Sequence, residues 1–540
     1  MPKFTPEESA ILKNYISDPE ADVFVVFPKL QGIVGPAFAR YSRARGGFRE
    51  TFLKEFLRAG ILDQKHAQEL IERILIAFGD ESVGELEGAW LSFEGISNIA
   101  TKEIEDRRIG GSPIEQSSRY VFYDQEDELG RFNYLRVPEI MAGPLKAEFE
   151  SGMDFVFTAY CRLIEPMQSY LRALKPLEEA SYDIRGDKQP VKLAELNDGK
   201  ERQAFRTTYN SDIRARACDI LRIMLPACTK TNVGLLGNGR YFQCLLTRLY
   251  SSNLAEMQGL AQKAHQALNT VIPVYVKRAK RDPYLIEREK ELRKFCEELL
   301  SLFRPEEVND VELLEGISLE EDVLATMLYA YAEHPMKQLR AIVSNMEAGQ
   351  RQKLLELYKG NRQNRRDRPG RALEAGYPIA FDCIGDFGIY RDLQRDRMKT
   401  QIRQMLSTRL SYVIPEEFEK IGEKESLLKC YEVSAGLYEK IRVLHGREVA
   451  QYAVLFGHKI RWYQGENYRE ALHELELRTI PQGHPSYRRM CQKMHRLMQQ
   501  RDPFLSQLFS FVDHNSYYWS RAESEAKQRV READLLRRPA

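Results

Sequence analysis

The chain has 540 residues, with 80 Lys or Arg against 79 Asp or Glu, which gives a formal net charge of +1. With 43% hydrophobic and 29% charged residues, the composition is that of a folded globular protein and argues against long disordered segments. The balanced charge offers no overall field for a nucleic acid or an acidic membrane, so neither partner is expected. At roughly 150 residues per domain, the length predicts two to four domains.

The start of the chain and its cysteines favour a reducing compartment. No basic region followed by an apolar run opens the sequence, so no signal peptide is predicted, and no window approaches the roughly 20 apolar residues of a membrane span. None of the eight cysteines forms a CxxC pair, and the nine histidines do not fall at metal-ligand spacing. A cytoplasmic protein without a metal site is therefore predicted.

Helical periodicity dominates the chain, and strand patterns are few. Segments 23–27, 89–93 and 377–381 are predicted as strands, because each is a short apolar run of β-favouring residues. Apolar residues recur at helical spacing in segments 52–78, 142–175, 207–230, 240–275, 284–303, 319–358, 386–410, 427–460, 469–500 and 503–535. The predicted fold class is α+β, with helix dominant.

Polar stretches between the helical patterns are predicted as loops. Segment 183–203 contains Gly, Pro and Asn-Asp-Gly turn signals, and segments 276–282 and 304–309 flank a charged helix. Segment 359–371 (KGNRQNRRDRPGR) is typical of a solvated loop. A more specific alternative is a loop that contacts a phosphate. A third interpretation is RNA binding, which the lack of interleaved aromatic residues disfavours.

An internal repeat is the most informative pattern in the sequence. Segments 222–250 and 451–479 align without gaps, and in each an Asn-x-Arg, at Asn238 and at Asn467, opens an apolar helical run. A second pair of similar segments lies earlier in each half. Segments 93–108 and 381–397 each follow a strand-like run and end in basic residues. The sequence therefore predicts a diverged duplication, with one unit over 1–300, enlarged near 183–203, and a second over 305–540.

Segment 105–120 (EDRRIGGSPIEQSSRY) is dense in polar groups beside a Gly-Gly pair, which lets a ligand approach the backbone closely. Glu115, Ser117 and Arg119 alternate, so an extended chain would point all three to one side. A carboxylate, a hydroxyl and an arginine on one face suit a phosphorylated ligand such as a nucleotide. A capped turn with surface ion pairs is the alternative.

Polar residues also follow helical spacing in the second half, where Arg469 and His473 are neighbours on one helical face. Together with Asn467 and Arg478 they predict a helix with one face on the core and one on a ligand. The alternative is a solvated amphipathic helix in which His473 is only a structural hydrogen-bonding group.

Taken together, these motifs resemble the flavin-dependent thymidylate synthases (the ThyX family), apparently twice in tandem. The family signature E-x-S-x-R-Y matches residues 115–120, and the strand and helix that precede it in the family match 92–97 (SFEGIS). The family's later block, L-P…N-x-R…L-R, matches 225–240 in its first two parts and 447–478 without gaps. The resemblance implies two tandem units, each with a small antiparallel sheet packed by helices.

Each copy departs from the family pattern. The RHR triplet reads Asp106-Arg107-Arg108 in the first copy and Arg395-Asp396-Arg397 in the second, so neither keeps the central His that lies against the flavin in the family. In the second copy Met405 replaces the Glu of E-x-S-x-R-Y, and Gln451 stands where the first copy has Arg222. The first copy lacks the closing Arg of the later block, so the losses are largely complementary.

The resemblance implies reductive methylation of dUMP to dTMP, with FAD as cofactor and with NADPH and methylenetetrahydrofolate as co-substrates. Active sites of the family lie at subunit interfaces, so it also implies a composite site between the two copies and a homodimer that forms a pseudo-tetramer. It assigns substrate and catalytic roles to Arg108, Glu115, Ser117, Arg119, Arg222 and Arg478. It assigns flavin contacts to Ser42, Glu87, Arg395, Arg397, Asn467, Arg469 and His473.

Two other functions are compatible with the sequence. A catalytically altered or inactive relative would bind flavin or nucleotide without the methylation, because a fold does not guarantee its site. A helical interaction protein would use the 359–371 loop as its binding surface. Which of the two candidate pockets is functional, and whether Arg107 or Asp396 replaces the missing His, stay open.

Overall fold

The computed structural model describes residues 4–42, 44, 47–58, 61–72, 81–106, 109–187, 189–315, 318–364 and 367–519. Within these residues, no helix combines the length and the apolar character that a bilayer crossing requires.

Helices account for most of the described chain, which confirms the predicted helix-dominated α+β class. The α-helices are α1 Pro6–Leu12, α2 Val34–Tyr41, α3 Phe48–Thr51, α4 Gln64–Glu72, α5 Asn98–Glu105, α6 Pro138–Met141, α7 Lys146–Leu174, α8 Gly199–Leu221, α9 Gly239–Tyr250, α10 Ala255–Asn269, α11 Pro273–Val276, α12 Pro283–Leu300, α13 Leu319–Tyr329, α14 Met336–Ser344, α15 Ala348–Lys359, α16 Phe387–Leu393, α17 Glu416–Lys420, α18 Lys424–Ala450, α19 Tyr468–Thr479 and α20 Pro485–Arg501. The strands are β1 Leu57–Arg58, β2 Ile61–Leu62, β3 Gly88–Ser97, β4 Gly111–Glu115, β5 Ser181–Tyr182, β6 Val191–Lys192, β7 Lys230–Asn238, β8 Val311–Leu313, β9 Ile379–Asp386, β10 Thr400–Arg403 and β11 Lys459–Glu466.

The chain forms two compact units that are interleaved in sequence. The first unit is built from 1–96, 100–115 and 231–286, and the second from 97–99, 116–230 and 287–540. These boundaries differ from the predicted copies, 1–300 and 305–540, because the second unit contains a large part of the first copy.

The sheet of the first unit has the strand order β3-β7-β4, with β7 in the middle. β4 pairs antiparallel with β7, and Glu115 lies opposite Val233. The predicted strand 89–93 lies inside β3, so that prediction is confirmed. The middle strand β7 was not predicted.

The sheet of the second unit has the order β10-β11-β9-β8, with β11 paired antiparallel to both β10 and β9. The predicted strand 377–381 overlaps β9, which begins at Ile379. The strand that precedes the Asn-x-Arg helix, β7 or β11, thus lies in the middle of its sheet. β3 and β4 flank it in the first sheet and β9 and β10 in the second, to which β8 is added. The two sheets therefore share one topology, as a tandem arrangement requires.

The gapless alignment of the two copies is reproduced by their secondary structure. α8 is followed by the 3-10 turn Arg222–Met224, β7 and α9, and α18 is followed by the turn Gln451–Ala453, β11 and α19. The Asn238 side chain accepts from the backbone N–H of Tyr241 at 2.8 Å, and that of Asn467 accepts from Glu470 at 3.1 Å. The Asn of each Asn-x-Arg is therefore a helix N-cap.

Within the second unit, equivalent segments of the two copies meet in a short antiparallel ladder. The Ala227 N–H donates to the Val454 carbonyl at 2.8 Å, and the Phe456 N–H donates to the Leu225 carbonyl at 2.8 Å. The sequence alignment pairs Leu225 with Val454 and Ala227 with Phe456. Each of these two hydrogen bonds is therefore the equivalent of the other when the copies are interchanged. The copies pair around a local two-fold axis, as subunits of an isologous dimer do.

We expect Gly457→Ala to destabilise this ladder by about 1–3 kcal/mol, because the site has no room for a methyl group. The Gly457 N–H donates to the Ile223 carbonyl at 2.8 Å, and a Cβ here would overlap the Tyr431 hydroxyl and lie 3.0 Å from Ile223 Cβ. Urea unfolding measures the change. The control is Gly436→Ala in α18, where a Cβ meets open space and about 0.5–1 kcal/mol of stabilisation is expected. Equal effects of the two substitutions would contradict the packing described.

Several predicted helices are shorter than expected. The predicted helix 319–358 is three helices, α13 to α15, and Pro335, which cannot continue a helix, precedes α14. The helices predicted over 207–230 and 427–460 end at Leu221 and Ala450, where 3-10 turns begin. The prediction over 386–410 is wrong beyond Leu393, because β10 occupies Thr400–Arg403.

Other predictions fail near the chain ends and in one loop. Segment 23–27 is not a strand, since Val26 forms only an isolated bridge with Ile16. The helix predicted over 52–78 is replaced by one π-helical turn, β1, β2 and α4, and its residues 59–60 and 73–78 lie outside the described residues. Over 503–535 only the 3-10 turn Leu505–Leu508 is helical, and 520–535 lie outside the described residues. The loop predicted over 183–203 contains β6, and α8 begins within it at Gly199.

Candidate functional site

The residues predicted to bind substrate divide between the two units. Glu115 lies in the first unit, whereas Ser117, Arg119, Arg222 and Arg478 lie in the second. Arg108 lies outside the described residues.

In the first unit, the Glu115 carboxylate belongs to a buried ion-pair group. The Lys102 ammonium lies 2.9 Å from Glu115 Oε2 and 2.5 Å from Glu105 Oε2, and no part of the lysine side chain is exposed. Removing one member of such a group leaves a buried charge uncompensated. Glu115 therefore has a structural role here in addition to the one predicted for it.

The Gly-Gly turn ahead of Glu115 packs on an aromatic ring. Gly110 has a φ of +84°, which favours glycine, and a Cβ on Gly111 would overlap the Tyr241 ring. The Tyr241 hydroxyl donates to the Ile104 carbonyl at 3.1 Å. The close backbone approach that the sequence predicted for a ligand is thus made by a side chain of the protein.

Two predicted flavin residues also lie in the first unit. Ser42 is exposed at the end of α2, and its hydroxyl donates to the Ala39 carbonyl at 2.8 Å. Glu87 is partly buried and accepts from the Gly35 N–H at 3.1 Å. Burial raises the pKa of Glu87, and it also raises that of the neighbouring Tyr275, whose buried hydroxyl has no hydrogen-bond partner among the described residues.

In the second unit, Arg119 is held by an aspartate. β4 ends at Glu115 and the chain turns at 118–120, so the alternation expected for Glu115, Ser117 and Arg119 does not continue as a strand to Arg119. The Arg119 guanidinium is buried and forms a bidentate pair with Asp219, at 2.7 and 2.9 Å. Burial alone would lower the pKa of Arg119, but Asp219 outweighs it and raises the pKa. The Ser117 hydroxyl oxygen accepts from the Arg119 N–H at 3.3 Å and fixes the turn.

Among the arginines predicted to bind the substrate, Arg222 has guanidinium nitrogens that donate no hydrogen bond to the described residues. It is 1% exposed, and its Nη1 donates to Asp392 Oδ2 at 3.1 Å. Its Nε and Nη2 are buried and have no hydrogen-bond partner among the described residues. Buried polar groups are almost always satisfied, so two free guanidinium donors on one side chain indicate a position for a missing acceptor.

The start of α20 adds residues that the sequence did not predict. The buried His484 ring accepts at Nδ1 from the Ser486 N–H at 3.2 Å, so the proton of the neutral ring lies on Nε2, 3.4 Å from the Asp219 carbonyl oxygen. The Tyr487 hydroxyl oxygen accepts from Arg119 Nη1 at 3.3 Å. We call Arg119, Asp219, Arg222, Asp392 and His484 the arginine cluster.

Charge within the arginine cluster follows from burial and from its neighbours. Burial and then the Arg222 charge hold the pKa of His484 well below its usual value, so the ring is neutral near pH 7. Burial opposes the ionised form of Asp392, but Arg222 and Arg119 overcome it and lower the pKa of that carboxyl. The cluster therefore contains two cations, two anions and a neutral histidine, and Arg222 keeps two nitrogens without a hydrogen-bond partner among the described residues.

The neutral His484 predicts a specific loss of stability in acid. Because the pKa of His484 is lower in the folded than in the unfolded chain, its contribution is complete above about pH 6.5 and declines as the pH falls below that value. The slope is up to about 1.4 kcal/mol per pH unit for one histidine. We expect urea midpoints of His484→Gln to fall less steeply between pH 7 and pH 5 than those of the wild type. The matched variant His473→Gln, at an exposed position, should keep the wild-type slope, and an unchanged slope in His484→Gln would contradict the assignment.

Arg478 is engaged by the central residue of the degenerate triplet. Its guanidinium forms a bidentate pair with Asp396, at 2.7 and 3.1 Å. Lys399 lies 3.4 Å from the same carboxylate and 2.5 Å from Glu474. Burial opposes ionisation of Asp396, but Lys399 and Arg478 lower its pKa. The centre of the predicted triplet is therefore a buried, ionised aspartate.

The other residues predicted to hold the flavin are exposed. Arg395, Arg397, Arg469 and His473 make no hydrogen bond or ion pair within the described part of the chain, and Asn467 uses its side-chain oxygen as the cap of α19. Arg395 and Arg397 flank Asp396, which ties their loop to α19 through Arg478. Exposed guanidinium groups without internal partners fit the phosphates of a dinucleotide. Among the described residues, no three His, Cys, Asp or Glu side chains gather into a metal site.

Comparison with known proteins gives consistent results along the chain. A family model described as thymidylate synthase complementing protein matches residues 37–274 and 361–504. A UPF0159 protein of Chlamydia muridarum is 32% identical over 551 residues, which cover 98% of this chain and 99% of that protein. A UPF0159 protein of Chlamydia pneumoniae is also 32% identical, over 547 residues, and one of Thermoplasma acidophilum is 29% identical over 506, or 92% of this chain and 98% of that protein. The two matched segments fall one in each predicted copy.

Proposed function

Because the chain belongs to the thymidylate synthase complementing protein family, we propose that it converts dUMP to dTMP as a flavin-dependent thymidylate synthase. The proposed reaction takes its carbon from methylenetetrahydrofolate and its reducing equivalents from NADPH, with FAD as the cofactor. The family membership supports a thymidylate synthase-like protein, and the arginine cluster supports the nucleotide as its substrate.

The observation that carries this proposal is the pair of free donors on Arg222. A buried guanidinium with two nitrogens that donate no hydrogen bond is costly, because each lost hydrogen bond to a charged group is worth about 1.5–3 kcal/mol. A phosphate dianion supplies charged acceptors and matches the planar fork of an arginine. Arg119 lies in the same cluster, where its charge favours an anion further.

The residues present are compatible with FAD. In the proposal, Arg395, Arg397 and Arg469 hold its phosphates, and the exposed Asn467 and His473 offer further polar groups along α19. When bound, the flavin supplies hydride transfer, which no protein side chain provides.

The protein's own residues bind and orient the nucleotide in this proposal. Arg222 donates to its phosphate and Arg119 adds positive charge nearby. Asp219 and Asp392 hold the two arginines in place, and the buried setting of the cluster excludes water, which strengthens each electrostatic contact. Positive charge beside the bound nucleotide favours negative charge that develops on it during the reaction. Ser117 fixes the turn that carries Arg119 and is not a nucleophile in this scheme.

Release of tritium from dUMP labelled at carbon 5 tests the proposal. Purified protein supplied with FAD, NADPH and methylenetetrahydrofolate is expected to bind flavin, with its yellow absorption spectrum, and to release tritium. Arg222→Gln should lose the release, whereas Arg489→Gln, at an exposed position, should keep it. If the wild-type protein releases no tritium and forms no dTMP, the enzymatic proposal is wrong.

A second candidate is a relative that binds flavin and nucleotide without the methylation. The observation that favours it is Asp396, which replaces the flavin-facing His and ties up Arg478. A yellow protein that binds dUMP but releases no tritium identifies this candidate. A colourless protein that neither FAD nor dUMP stabilises against heat excludes both the synthase and the inactive relative. The helical interaction protein is then the remaining candidate.

The proposal includes a homodimer that presents four copies of the family unit. It is supported by the local two-fold ladder, in which two copies already pair like subunits within one chain. Light scattering measures the mass, and a monomer at micromolar concentration would contradict this part of the proposal.

A further inference from the structure

We infer that each chain carries one nucleotide-phosphate position, at Arg222, and that the equivalent position of the second copy, at Gln451, is closed by contacts of the protein itself. The inference rests on the proposed function and specifies how many substrate molecules one chain binds. Both positions lie in the second unit, so their surroundings are directly comparable.

The local two-fold ladder establishes which residues are equivalent. Arg222 begins the 3-10 turn after α8, and Gln451 begins the 3-10 turn after α18. Each turn leads into its half of the ladder, in which the Cys228 N–H donates to the Tyr452 carbonyl at 3.1 Å and the Gly457 N–H donates to the Ile223 carbonyl at 2.8 Å. Arg222 and Gln451 therefore occupy the same place in the two copies.

The Ser-x-Arg segment is also present at both positions, with the same hydrogen bond from the Arg N–H to the Ser oxygen. The Ser117 oxygen accepts from the Arg119 N–H at 3.3 Å, and the Ser407 oxygen accepts from the Arg409 N–H at 3.3 Å. The arginine side chains differ. Arg119 is buried on Asp219, whereas the Arg409 side chain is 43% exposed and pairs with Glu439 at 2.9 Å. The second copy keeps this hydrogen bond, but its arginine side chain faces the solvent.

The residues that begin the two 3-10 turns differ in their unused hydrogen-bonding capacity. The Gln451 amide oxygen accepts from the Leu406 N–H at 3.0 Å and from Arg403 Nη1 at 3.2 Å, and its amide nitrogen donates to the Glu448 carbonyl at 3.3 Å. Gln451 is thus neutral, and both its amide oxygen and its amide nitrogen have hydrogen-bond partners. Arg222 is charged and has two free donors.

Paired charges fill the rest of the second position. Arg293 lies 3.1 Å from Glu448 and 3.8 Å from the sulfur of Met405, the residue that replaces the Glu of the family signature. Arg447 pairs with Glu333 at 3.2 Å. A phosphate entering here would have to break these pairs, whereas at Arg222 it satisfies donors that have no partner.

The two positions also differ in what they contribute to stability. Gln451 accepts the N–H of the buried Leu406, so its loss leaves a buried donor unpaired. Arg222 keeps two buried donors unpaired, which is the pattern of a residue retained for binding at the expense of stability. Truncation at Gln451 should therefore lower the melting temperature without affecting nucleotide binding, whereas neutralisation of Arg222 should weaken nucleotide binding.

Equilibrium dialysis of the full chain with labelled dUMP counts the positions. We expect one dUMP per chain in the wild type and in Gln451→Ala, with affinities equal within about two-fold, and at least ten-fold weaker binding in Arg222→Gln, as for a lost charge-assisted hydrogen bond. Two dUMP per chain, or binding that is lost in Gln451→Ala and kept in Arg222→Gln, would overturn the inference.

Thermal unfolding of the same proteins with and without inorganic phosphate decides the inference independently of the nucleotide. Gln451→Ala should melt below the wild type, and phosphate should raise the melting temperature of both of these proteins but not that of Arg222→Gln. A wild type that binds no dUMP overturns the proposed function, and the shifts caused by phosphate then decide alone. If phosphate raises the melting temperature of Arg222→Gln as much as that of the wild type, Arg222 does not bind the phosphate and the inference is wrong.

Discussion

Replacing Lys399 with methionine is expected to lower the free energy of unfolding of the second unit by about 3–5 kcal/mol. The Lys399 side chain has no exposed surface, and its ammonium lies 2.5 Å from Glu474 Oε1 and 3.4 Å from Asp396 Oδ2. Among the described residues, loss of the lysine leaves Glu474 without an ion-pair partner and leaves Asp396 with Arg478 alone. Burial together with the Glu474 charge already raises the pKa of the adjacent Glu466, so this region cannot hold a further unpaired carboxylate without cost.

A surface lysine provides the matched control for this prediction. Lys493 forms an ion pair with Asp310 in which both side chains are substantially exposed. Pairs of this kind contribute about 0–1 kcal/mol, so Lys493→Met should change the unfolding free energy by no more than that. Urea unfolding of both variants gives the comparison. If Lys399→Met costs no more than Lys493→Met, the buried network does not stabilise the second unit as described.

Replacing Arg222 with glutamine is expected to weaken dUMP binding by about 10- to 150-fold. The expectation follows from the about 1.5–3 kcal/mol that a hydrogen bond to a charged group contributes, at 1.4 kcal/mol for each factor of ten. Glutamine retains a polar donor near the position of the Arg Nε but lacks the two terminal nitrogens, so the change removes the charge and the fork of the guanidinium. Isothermal titration calorimetry on the purified protein measures the affinity.

An arginine outside the arginine cluster controls for a general loss of positive charge. Arg489 is exposed on α20, and Arg489→Gln should leave the dUMP affinity within about two-fold of the wild type, because exposed charges in salt solution are screened. Equal affinities of wild type and Arg222→Gln would show that the free donors of Arg222 do not meet the phosphate.

The sequence predicted the repeat of the fold because the repeat depends on local features. The Asn-x-Arg before α9 and before α19 is an N-cap followed by an apolar helical face, and both signals lie within a few residues of each other. The strands β3 and β9 are short apolar runs, which periodicity detects without knowledge of their partners.

The middle strands β7 and β11 could not be predicted in the same way. All of β11 except Lys459 is buried, so its sequence (KIRWYQGE) lacks the alternation of a half-exposed strand and contains Arg, Gln and Glu where apolar residues are expected. In β7 the glycines at 234 and 237 interrupt the apolar pattern of a strand. Both segments are strands because neighbouring strands on either side satisfy their backbone groups, which is information held elsewhere in the chain.

The arginines of the candidate site were predicted from motifs, but their partners were not. Asp392 contacts Arg222 from 170 residues further along the chain, and Tyr487 contacts Arg119 from 368 residues away. Neither partner belongs to a motif with a fixed spacing. Asp396 is the exception, since its place at the centre of the degenerate triplet singled it out, although the sequence did not predict that it binds Arg478.

The central claim is that the second copy positions the arginines with which the first copy binds the nucleotide. A double-mutant cycle of dUMP affinity with Arg222→Gln and Asp392→Asn tests it most directly, because these two side chains, one from each copy, are joined by a hydrogen bond of 3.1 Å. We predict that Asp392→Asn changes the affinity of the wild type but not that of Arg222→Gln, which gives a coupling energy of at least about 0.5 kcal/mol. Additive effects of the two substitutions, or a wild-type protein that binds no dUMP, would contradict the claim.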